Sequence, residues 1–491
     1  MCIFCMIACT ESPTVDRYDV TRVTVDILPD VALLEIFDVY THEEVDEDKE
    51  GIEAWQTLVH VCRKWRNVVF GSPRRLNLRL YCSSGTPVRE TLDVWPLLPI
   101  VIGVYPVDKW DNDNIIAALE HSDRICKLVI IDIPSSKTEK ALAALQQPFP
   151  ALTFLQLMFW NDTGPVLPAS FLGGSAPALQ SIWLDRIPFP GLPKLLLTAT
   201  NLNTLNIQHI PHSGYISPEA MATALSVLTR LKSLSIEFES PRSRPDRRPR
   251  RLPPPTHTVL PVLTNLMFKG VAEYLEDLVA RIDAPLLDKL AIIFLHQMIF
   301  NCPHLTRFIS RTPKFKAHDE ARVDFSHHEV MVIFPPAFDG AFELELGISC
   351  KQSEWQLSSV AQVCITSFPR ALISAVEHLY IESVSLKLHW QDDIENGQWL
   401  EFLTPFTAVK DLYISSELMP NITRALKELA GVVLPTLQTL FLEEPIPSGP
   451  VQEAIEQFVA ARQLAGHSLI ISRWEREADE GSEPSDESDD D

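Results

Sequence analysis

Glycine and regularly spaced cysteines are both scarce in this chain. Its 491 residues include only 17 glycines beside 38 prolines, which argues against a flexible linker protein and against a collagen-like one. The nine cysteines are scattered and show no framework spacing, so they indicate reduced intracellular thiols rather than disulfides. A hydrophobic share of 46% is enough to bury a large core.

Long apolar runs and an excess of positive charge are also missing. The apolar start over 1–8 is too short to span a bilayer, and it lacks the basic residues and the cleavage site of a signal peptide. We therefore expect no membrane partner and a cytoplasmic or nuclear location, or both. The net charge is -23, and the segments 43–53 and 475–491 carry -15 of it. The mildly acidic remainder lacks the basic excess that phosphate binding needs, so we expect no nucleic-acid partner.

Catalytic motifs are absent as well. The sequence has no Gly-rich phosphate loop, no Gly-x-Ser-x-Gly elbow and no His-Glu-x-x-His helix. Cys2, Cys5 and Cys9 lie close together, but no His or second Cys pair nearby completes a zinc site. We therefore expect no catalytic residues, no metal and no cofactor. An enzyme remains open only if residues far apart in the sequence converge.

Two segments near the N-terminus predict short amphipathic helices. The first covers 28–40 and begins at Pro29, where a missing N–H costs a helix nothing. Its helical spacing predicts one apolar stripe, formed by Leu33, Ile36, Phe37 and Tyr40. After an acidic insert, 54–70 predict a second helical face, formed by Trp55, Leu58, Cys62, Trp65 and Val69. Helices this short cannot build a stable core alone, so they need a surface to pack on.

These segments resemble the F-box family. The resemblance is carried by Leu28-Pro29, by Ile36-Phe37 and by Val61-Cys62-Arg63-Lys64-Trp65-Arg66. It implies a three-helix domain over 21–72 that docks on a Skp-type adaptor and, through it, on a cullin. The residues implied to face that adaptor, or to hold the helices that do, are Leu28, Pro29, Leu33, Ile36, Phe37, Val61, Cys62 and Trp65. The acidic stretch 43–53 is longer than the usual connection in the family, and a helical hairpin that only caps the rest of the chain is the alternative.

A short motif of apolar residues, which we call the phrase, recurs between about 75 and 472. Its spacing is apolar, two residues, apolar, one residue, apolar, as in Leu152-Leu155-Leu157 and Leu437-Leu440-Leu442. Successive phrases start 27, 27, 23, 29, 32 and 24 residues apart, and 33 and 28 residues apart after a gap. This spacing is close to the roughly 20–29-residue period of leucine-rich repeats. Helix-like runs between the phrases complete the prediction of an α/β solenoid over 73–472.

The predicted repeats are irregular. The Asn or Cys that normally follows each strand is absent, so its backbone hydrogen bonds need replacements, and we expect uneven curvature. Residues 303–360 break the rhythm, and two strands there predict a hairpin inserted at about 323–350. Whether this hairpin interrupts or extends the sheet stays open. The whole layout resembles the fungal families of F-box proteins with degenerate leucine-rich repeats.

The open face of the solenoid is the predicted binding surface for a protein target. In each phrase the residue between the second and third apolar positions points to that face, which places three aromatic residues in a column with an acidic rim. Exposed aromatic residues beside charge are typical of binding hot spots, and the partner should offer basic and apolar groups. The candidate residues are Trp183, Tyr380, Glu382, Asp411, Tyr413, Phe441 and Glu443. The alternative is that a loop or the C-terminal segment covers these rings and makes them core.

Two charged segments remain. Six arginines over 242–251 predict an exposed loop, which is a nuclear-import signal, a docking site for an acidic partner, or a solvated disordered loop. Residues 1–20 and the acidic tail 473–491 are expected to be disordered.

The function that the sequence favours is a substrate-recognition adaptor of a Skp–cullin–F-box ubiquitin ligase with an unknown protein target. The alternative is a leucine-rich-repeat interaction scaffold without ligase function.

Overall fold

The structure is a computed structural model of the chain. It divides into two compact units, Met1–Tyr81 with Val94–Pro99, and Cys82–Asp93 with Ile100–Asp491. The predicted disordered start, the arginine-rich segment, most of the acidic stretch 43–53 and the tail from 476 onward lie outside the described residues. The described residues are 27–43, 54–83, 85–105, 112–132, 138–160, 164–241, 257–295, 302–315, 318–326, 329–335, 343–349, 357–383, 396–428, 433–444 and 449–475.

Three helices form the first unit: α1 (Asp30–Glu43), α2 (Ala54–Val61) and α3 (Arg63–Gly71). Pro29 starts α1, because its carbonyl accepts the N–H groups of Ala32 at 2.9 Å and Leu33 at 3.1 Å. Cys62 separates α2 from α3. Its backbone is extended, and its Sγ accepts the Trp65 N–H at 3.5 Å as the N-cap of α3. The predicted second helical face is therefore shared by two helices.

Aromatic rings fill the core of the first unit. Phe37 of α1 is fully buried and packs on Trp65 of α3, with ring centroids 4.8 Å apart. Trp55 of α2 contacts Phe70 at 6.1 Å and Trp95 at 5.3 Å, both edge to face. Tilted and edge-to-face ring pairs of this kind add to the stabilisation from apolar burial. The three helices thus share one aromatic core.

Helix α1 carries apolar residues on two opposite faces. Leu33, Leu34 and Phe37 are buried, whereas Ile36 is 50% exposed. The prediction of a single stripe that includes Ile36 is therefore wrong. Each residue advances a helix by roughly 100°, so Ile36 lies on the far side of α1 from Leu34. The outward face also carries Glu35, which pairs with Arg75. Helical spacing alone does not show which of the apolar residues are buried.

Strands alternate with helices in the rest of the chain, after the short strand β1 (Leu80–Cys82) at the boundary between the units. The strands that follow are β2 (Ile100–Val104), β3 (Ile125–Ile131), β4 (Phe154–Met158), β5 (Ser181–Asp185), β6 (Thr204–Ile210), β7 (Ser233–Phe238), β8 (Thr258–Val259), β9 (Asn265–Gly270), β10 (Ile282–Asp283), β11 (Lys289–Leu295), β12 (Glu320–Phe325), β13 (Glu329–Phe334), β14 (Glu343–Ser349), β15 (His378–Ser383), β16 (Asp411–Ile414), β17 (Thr439–Glu443) and β18 (Ile470–Trp474). The helices are α4 (Val88–Val94), α5 (Asn112–Leu119), α6 (Thr138–Ala144), α7 (Leu192–Leu196), α8 (Pro218–Leu225), α9 (Ala272–Val279), α10 (Pro303–Arg311), α11 (Leu357–Ser367), α12 (Arg370–Ile373), α13 (Asn396–Leu403), α14 (Met419–Glu428) and α15 (Pro450–Leu464).

One long sheet organises the second unit, in the order β2-β3-β4-β5-β6-β7-β9-β11-β14-β13-β12-β15-β16-β17-β18. Neighbours from β2 to β11 and from β15 to β18 pair in parallel. The second and third apolar residues of each phrase are buried, as Leu155 and Leu157 show in β4. Helices α7, α8, α9, α10, α11, α13, α14 and α15 pack on one another in that order. The arrangement is an α/β solenoid of the leucine-rich-repeat type.

A ladder of backbone hydrogen bonds joins the repeats at the start of each strand. The carbonyl of Thr153 accepts the N–H groups of Gln180 at 2.7 Å and Ser181 at 3.1 Å. The Gln180 carbonyl accepts those of Asn203 and Thr204 in the same way. The pattern continues to Thr264, and it recurs after the inserted strands from Asp319 to Gln438, whose carbonyl accepts the Ile470 N–H at 2.9 Å. This ladder supplies inter-repeat bonds without the Asn or Cys of regular repeats.

The inserted segment extends the sheet without interrupting it. Strands β13 and β14 match the two predicted strands, and β12 is a third strand that the sequence did not indicate. Strand β13 runs antiparallel to both β12 and β14, and the three strands enter the sheet in reverse chain order. The outer two, β14 and β12, pair in parallel with β11 and β15 respectively. One repeat therefore contributes three strands where its neighbours contribute one.

Two buried cysteines give a test of the core. Burial raises the pKa of the Cys82 thiol to about 11 and that of the Cys364 thiol to about 12. Because the thiolate is the reactive form, alkylation of both at pH 8 is expected to be at least about a hundredfold slower in the folded chain than in the unfolded chain. Iodoacetamide labelling followed by peptide mass spectrometry measures this ratio. Equal labelling of either cysteine before and after unfolding would contradict the buried placement.

Candidate interaction surface

The open face of the sheet, which points away from the helices, carries one continuous row of side chains. Strand pairing sets this central row, because each residue in it lies in register with the next. In order along the sheet, the row is Val129, Gln156, Trp183, Asn206, Ser235, Met267, Ala291, Glu345, Ile333, Arg322, Tyr380, Tyr413, Phe441 and Ser472. The row is mixed in its first half and aromatic towards its C-terminal end.

Three rings of the central row stack as the sequence predicts, and we call them the aromatic column: Tyr380, Tyr413 and Phe441. The first two centroids are 4.0 Å apart with planes at 10°, and the second pair is 4.3 Å apart with planes at 6°. This spacing follows the distance between neighbouring strands. All three side chains are half-buried, so the column is neither fully core nor fully open.

Trp474, which the sequence reasoning missed, partly covers the column. It lies at the end of β18, and its ring meets Tyr380 at 6.0 Å and Tyr413 at 5.7 Å, steeply inclined to both. The prediction had left open whether the C-terminal segment covers the rings. The structure shows a partial cover, because the Trp474 side chain reaches back from the last strand and packs on the two tyrosines.

A cation lies at the other end of the column. The Cζ atom of Arg322 in β12 is 5.0 Å from the Tyr380 ring centroid, which is a cation–π contact. Glu320 holds this guanidinium in place, with its Oε1 accepting the Arg322 Nε–H at 2.8 Å. Burial raises the pKa of Tyr380, and a hydrogen bond with Tyr413 and the nearby charge of Glu320 raise it further. Tyr380 is therefore neutral at physiological pH.

The predicted acidic rim is present, and part of it is used inside the molecule. Asp411 pairs with His378. The distance between His378 Nδ1 and Asp411 Oδ2 is 3.0 Å. Glu443 accepts the backbone N–H of Ser416 at 2.8 Å. Glu382 lies close enough to Arg322 that its negative charge helps to raise the pKa of that guanidinium. The rim is therefore held in place by contacts within the molecule.

Trp183 lies in the same central row but far from the aromatic column. Its side chain is 39% exposed and its Nε1–H donates to Ser181 Oγ at 3.1 Å. The residue lies on β5, and seven strands of the sheet separate β5 from β15. The predicted target-binding set therefore consists of six residues at the C-terminal end of the sheet and one residue far from them.

A charged cluster on the same face escaped the sequence reasoning. His209 has a φ of +47°, which places its ring between two carboxylates: Nδ1 is 2.8 Å from Asp185 and Nε2 is 3.3 Å from Glu237. Lys269 completes the cluster at 2.7 Å from Glu237. Acids and bases pair internally across β5, β6, β7 and β9, so the cluster holds neighbouring repeats in register.

In the first unit, the residues predicted to contact an adaptor separate into two groups. Leu33 and Phe37 are buried, and Cys62 and Trp65 hold α3 in place. The exposed group is Leu28, Pro29, Ile36 and Val61. The exposed apolar surface of α1 is larger than the sequence reasoning indicated, because Val31 and Val39 are also 64% and 58% exposed.

Some kinds of site are absent from the described ranges. No group of three His, Cys, Asp or Glu side chains there is placed to hold a metal ion. None of the helices in those ranges has the length and apolar character needed to cross a bilayer.

The repeat geometry defines the class: the chain contains a leucine-rich-repeat-like solenoid, a fold that serves as a protein-interaction scaffold. No protein-family model matches the chain, and no curated protein matches it. Among solved structures it is similar to the leucine-rich repeat-containing protein LegL7 from Legionella pneumophila, with 12% identity over 78% of this chain and 97% of that chain, at a TM-score of 0.28. A TM-score this low does not establish a common fold, so the class depends on the strand register and spacing described above.

Proposed function

We propose that this protein is the substrate-recognition adaptor of a Skp–cullin–F-box type of ubiquitin ligase, acting in the cytoplasm or the nucleus. Helices α1 to α3 bind a Skp-type adaptor, which connects to a cullin. The open face of the repeat sheet binds a protein target. The chain itself supplies no catalytic group or cofactor in this proposal, and it acts by bringing the target close to a separate conjugating enzyme.

The observation that carries the proposal is the second apolar face of α1. Val31, Ile36 and Val39 are exposed on the side of the helix opposite its buried residues. Glu35 lies on the same side of the helix and pairs with Arg75, so this surface combines apolar side chains with one ion pair. Exposed apolar side chains clustered in this way are typical of an interaction site. Val61 at the end of α2 and Leu28 before α1 add to the exposed apolar side chains of this unit. These residues support a protein partner for the helices.

Co-expression with a Skp-type adaptor tests the ligase half of the proposal. The wild-type chain is expected to co-elute with the adaptor in size-exclusion chromatography. The double variant Val31→Glu, Ile36→Glu is expected to lose co-elution, because it places charge on the exposed face and leaves the core of the unit intact. Val259→Glu is the matched control, since Val259 is 53% exposed on β8 of the second unit. Loss of co-elution in the control as well would point to misfolding rather than to a lost interface.

A repeat scaffold without ligase function is the second candidate. It is favoured by the aromatic core of the first unit, where Trp55, Phe70 and Trp95 pack together. In that case α1 to α3 only cap the solenoid. A wild-type chain that is stable and monomeric, and that never co-elutes with a Skp-type adaptor, would establish this alternative and end the ubiquitin proposal.

A further inference from the structure

One end of the aromatic column is covered by a cation. At the other end, the next residue of the central row is small. At the first end, the Arg322 guanidinium sits on the outer face of the Tyr380 ring. At the other end, the residue in register with Phe441 is Ser472. A serine side chain is too small to cover a phenyl ring, and Phe441 stays half-buried. Within the row, the neighbour of Phe441 on its outer side is therefore a small serine side chain rather than another ring.

A carboxylate lies beside this end of the column. Glu443 lies two residues after Phe441 on the same face of β17, whereas Glu382 on β15 and Asp411 on β16 lie further along the column, towards its Arg322 end. The negative face of an aromatic ring attracts a cation, and nearby carboxylates strengthen that preference. The same carboxylates repel phosphate groups, which argues against nucleic acid as the occupant.

We propose that the outer face of Phe441, together with Glu443, binds an arginine or lysine side chain of a protein partner. The bound side chain extends the series that Arg322 begins, so that cations close both ends of the column. Trp474 packs on Tyr380 and Tyr413, so the proposed contact is with the third ring of the column. This inference deepens the target-binding half of the proposed function and is independent of the ligase half, which depends on α1.

Fluorescence anisotropy with a labelled peptide of alternating leucine and arginine tests the proposal on the full-length chain. The control peptide replaces each arginine with citrulline, which keeps the shape and removes the charge. Phe441→Leu is expected to weaken binding of the arginine peptide by about two- to thirtyfold, the range of a lost cation–π contact. Glu443→Gln, which keeps an oxygen for the Ser416 N–H, is expected to weaken it by a similar factor. Binding should also fall as salt is raised.

Phe154→Leu is the matched control variant, because Phe154 also lies on the open face and Lys127 sits 5.0 Å from its ring. It should bind the arginine peptide as the wild type does. Every variant keeps the acidic segments of the chain, so non-specific capture by them cancels in the comparison. Equal binding of the arginine and citrulline peptides, or equal binding by wild type and Phe441→Leu, overturns the proposal. Self-association of the wild-type chain that Phe441→Leu abolishes would overturn it too, by assigning the surface to a second copy.

These experiments test the ligase role and the arginine-binding role separately. If Phe441→Leu weakens arginine-peptide binding but the wild-type chain never co-elutes with a Skp-type adaptor, the binding site is supported and the ligase role is wrong. A chain that co-elutes but binds both peptides equally keeps the ligase role, and its target surface must then lie elsewhere.

Discussion

Replacing Glu276 with alanine is expected to lower the free energy of unfolding by roughly 3 to 6 kcal/mol, because two hydrogen bonds to a charged group are lost. Glu276 lies on α9 with only 2% of its surface exposed. Its carboxylate accepts the backbone N–H groups of His304 at 3.0 Å and Leu305 at 2.7 Å. These groups belong to the first turn of α10, whose own N-cap residue, Cys302, forms no side-chain cap. The acid of one repeat thus caps the helix of the next.

Urea denaturation followed by circular dichroism measures this loss. Glu276→Gln should fall between wild type and Glu276→Ala, since it keeps one acceptor oxygen and loses the negative charge. Asp277→Ala is the matched control, because it removes the neighbouring carboxylate of the same helix, and it is expected to change stability by less than about 1 kcal/mol. If Glu276→Ala and Asp277→Ala have equal effects, the capping role is wrong.

The repeat architecture was predictable because it repeats. Each phrase places two apolar residues on one face of a strand, and the same alternation recurs in strand after strand. The structure confirms the parallel sheet, the helices between strands and the spacing, down to bonds such as Gln180 N–H to Thr153. A pattern present many times in one chain is robust to errors at any single position.

The inserted strands could be predicted only in part from the sequence. Strands β13 and β14 were recognisable as short apolar alternations, but β12 reads Glu-Ala-Arg-Val-Asp-Phe and does not match the repeat phrase. Whether such strands interrupt or extend a sheet depends on which strands they pair with. That pairing involves segments that are distant in the sequence. The reverse order of β14, β13 and β12 between β11 and β15 is a property of the whole stack.

The candidate surface was predictable to the same degree. The register of the phrase was sufficient to place Tyr380, Tyr413 and Phe441 in one column, because strand pairing carries alignment from repeat to repeat. Trp474 and Arg322 were missed, because one folds back across neighbouring strands and the other lies on an unrecognised strand. An acid within an amphipathic helix normally indicates a solvated position, so the buried role of Glu276 was also beyond the sequence.

Replacing Arg462 with methionine is expected to destabilise the last repeat by roughly 2 to 6 kcal/mol, because two buried carbonyls lose their donor. Arg462 lies on α15 with 2% of its surface exposed, and burial lowers the pKa of its guanidinium. Its Nη2 donates to the carbonyls of Leu434 and Leu437, each at 3.1 Å. Methionine fills a similar volume but has no N–H group, so the change isolates the hydrogen bonds from the packing.

Hydrogen exchange measured by mass spectrometry locates the effect of Arg462→Met. Protection is expected to fall in the described segments 433–444 and 449–475 and to stay unchanged in α1 to α3, since repeats unfold locally when one interface weakens. Arg473→Met is the matched control, because Arg473 is exposed and its ion pair with Glu444 contributes at most about 1 kcal/mol. Similar exchange in the two variants would show that Arg462 does not hold the repeat together. Because Phe441 and Trp474 belong to these segments, Arg462→Met should also weaken arginine-peptide binding, which would tie the proposed site to the stability of the last repeat.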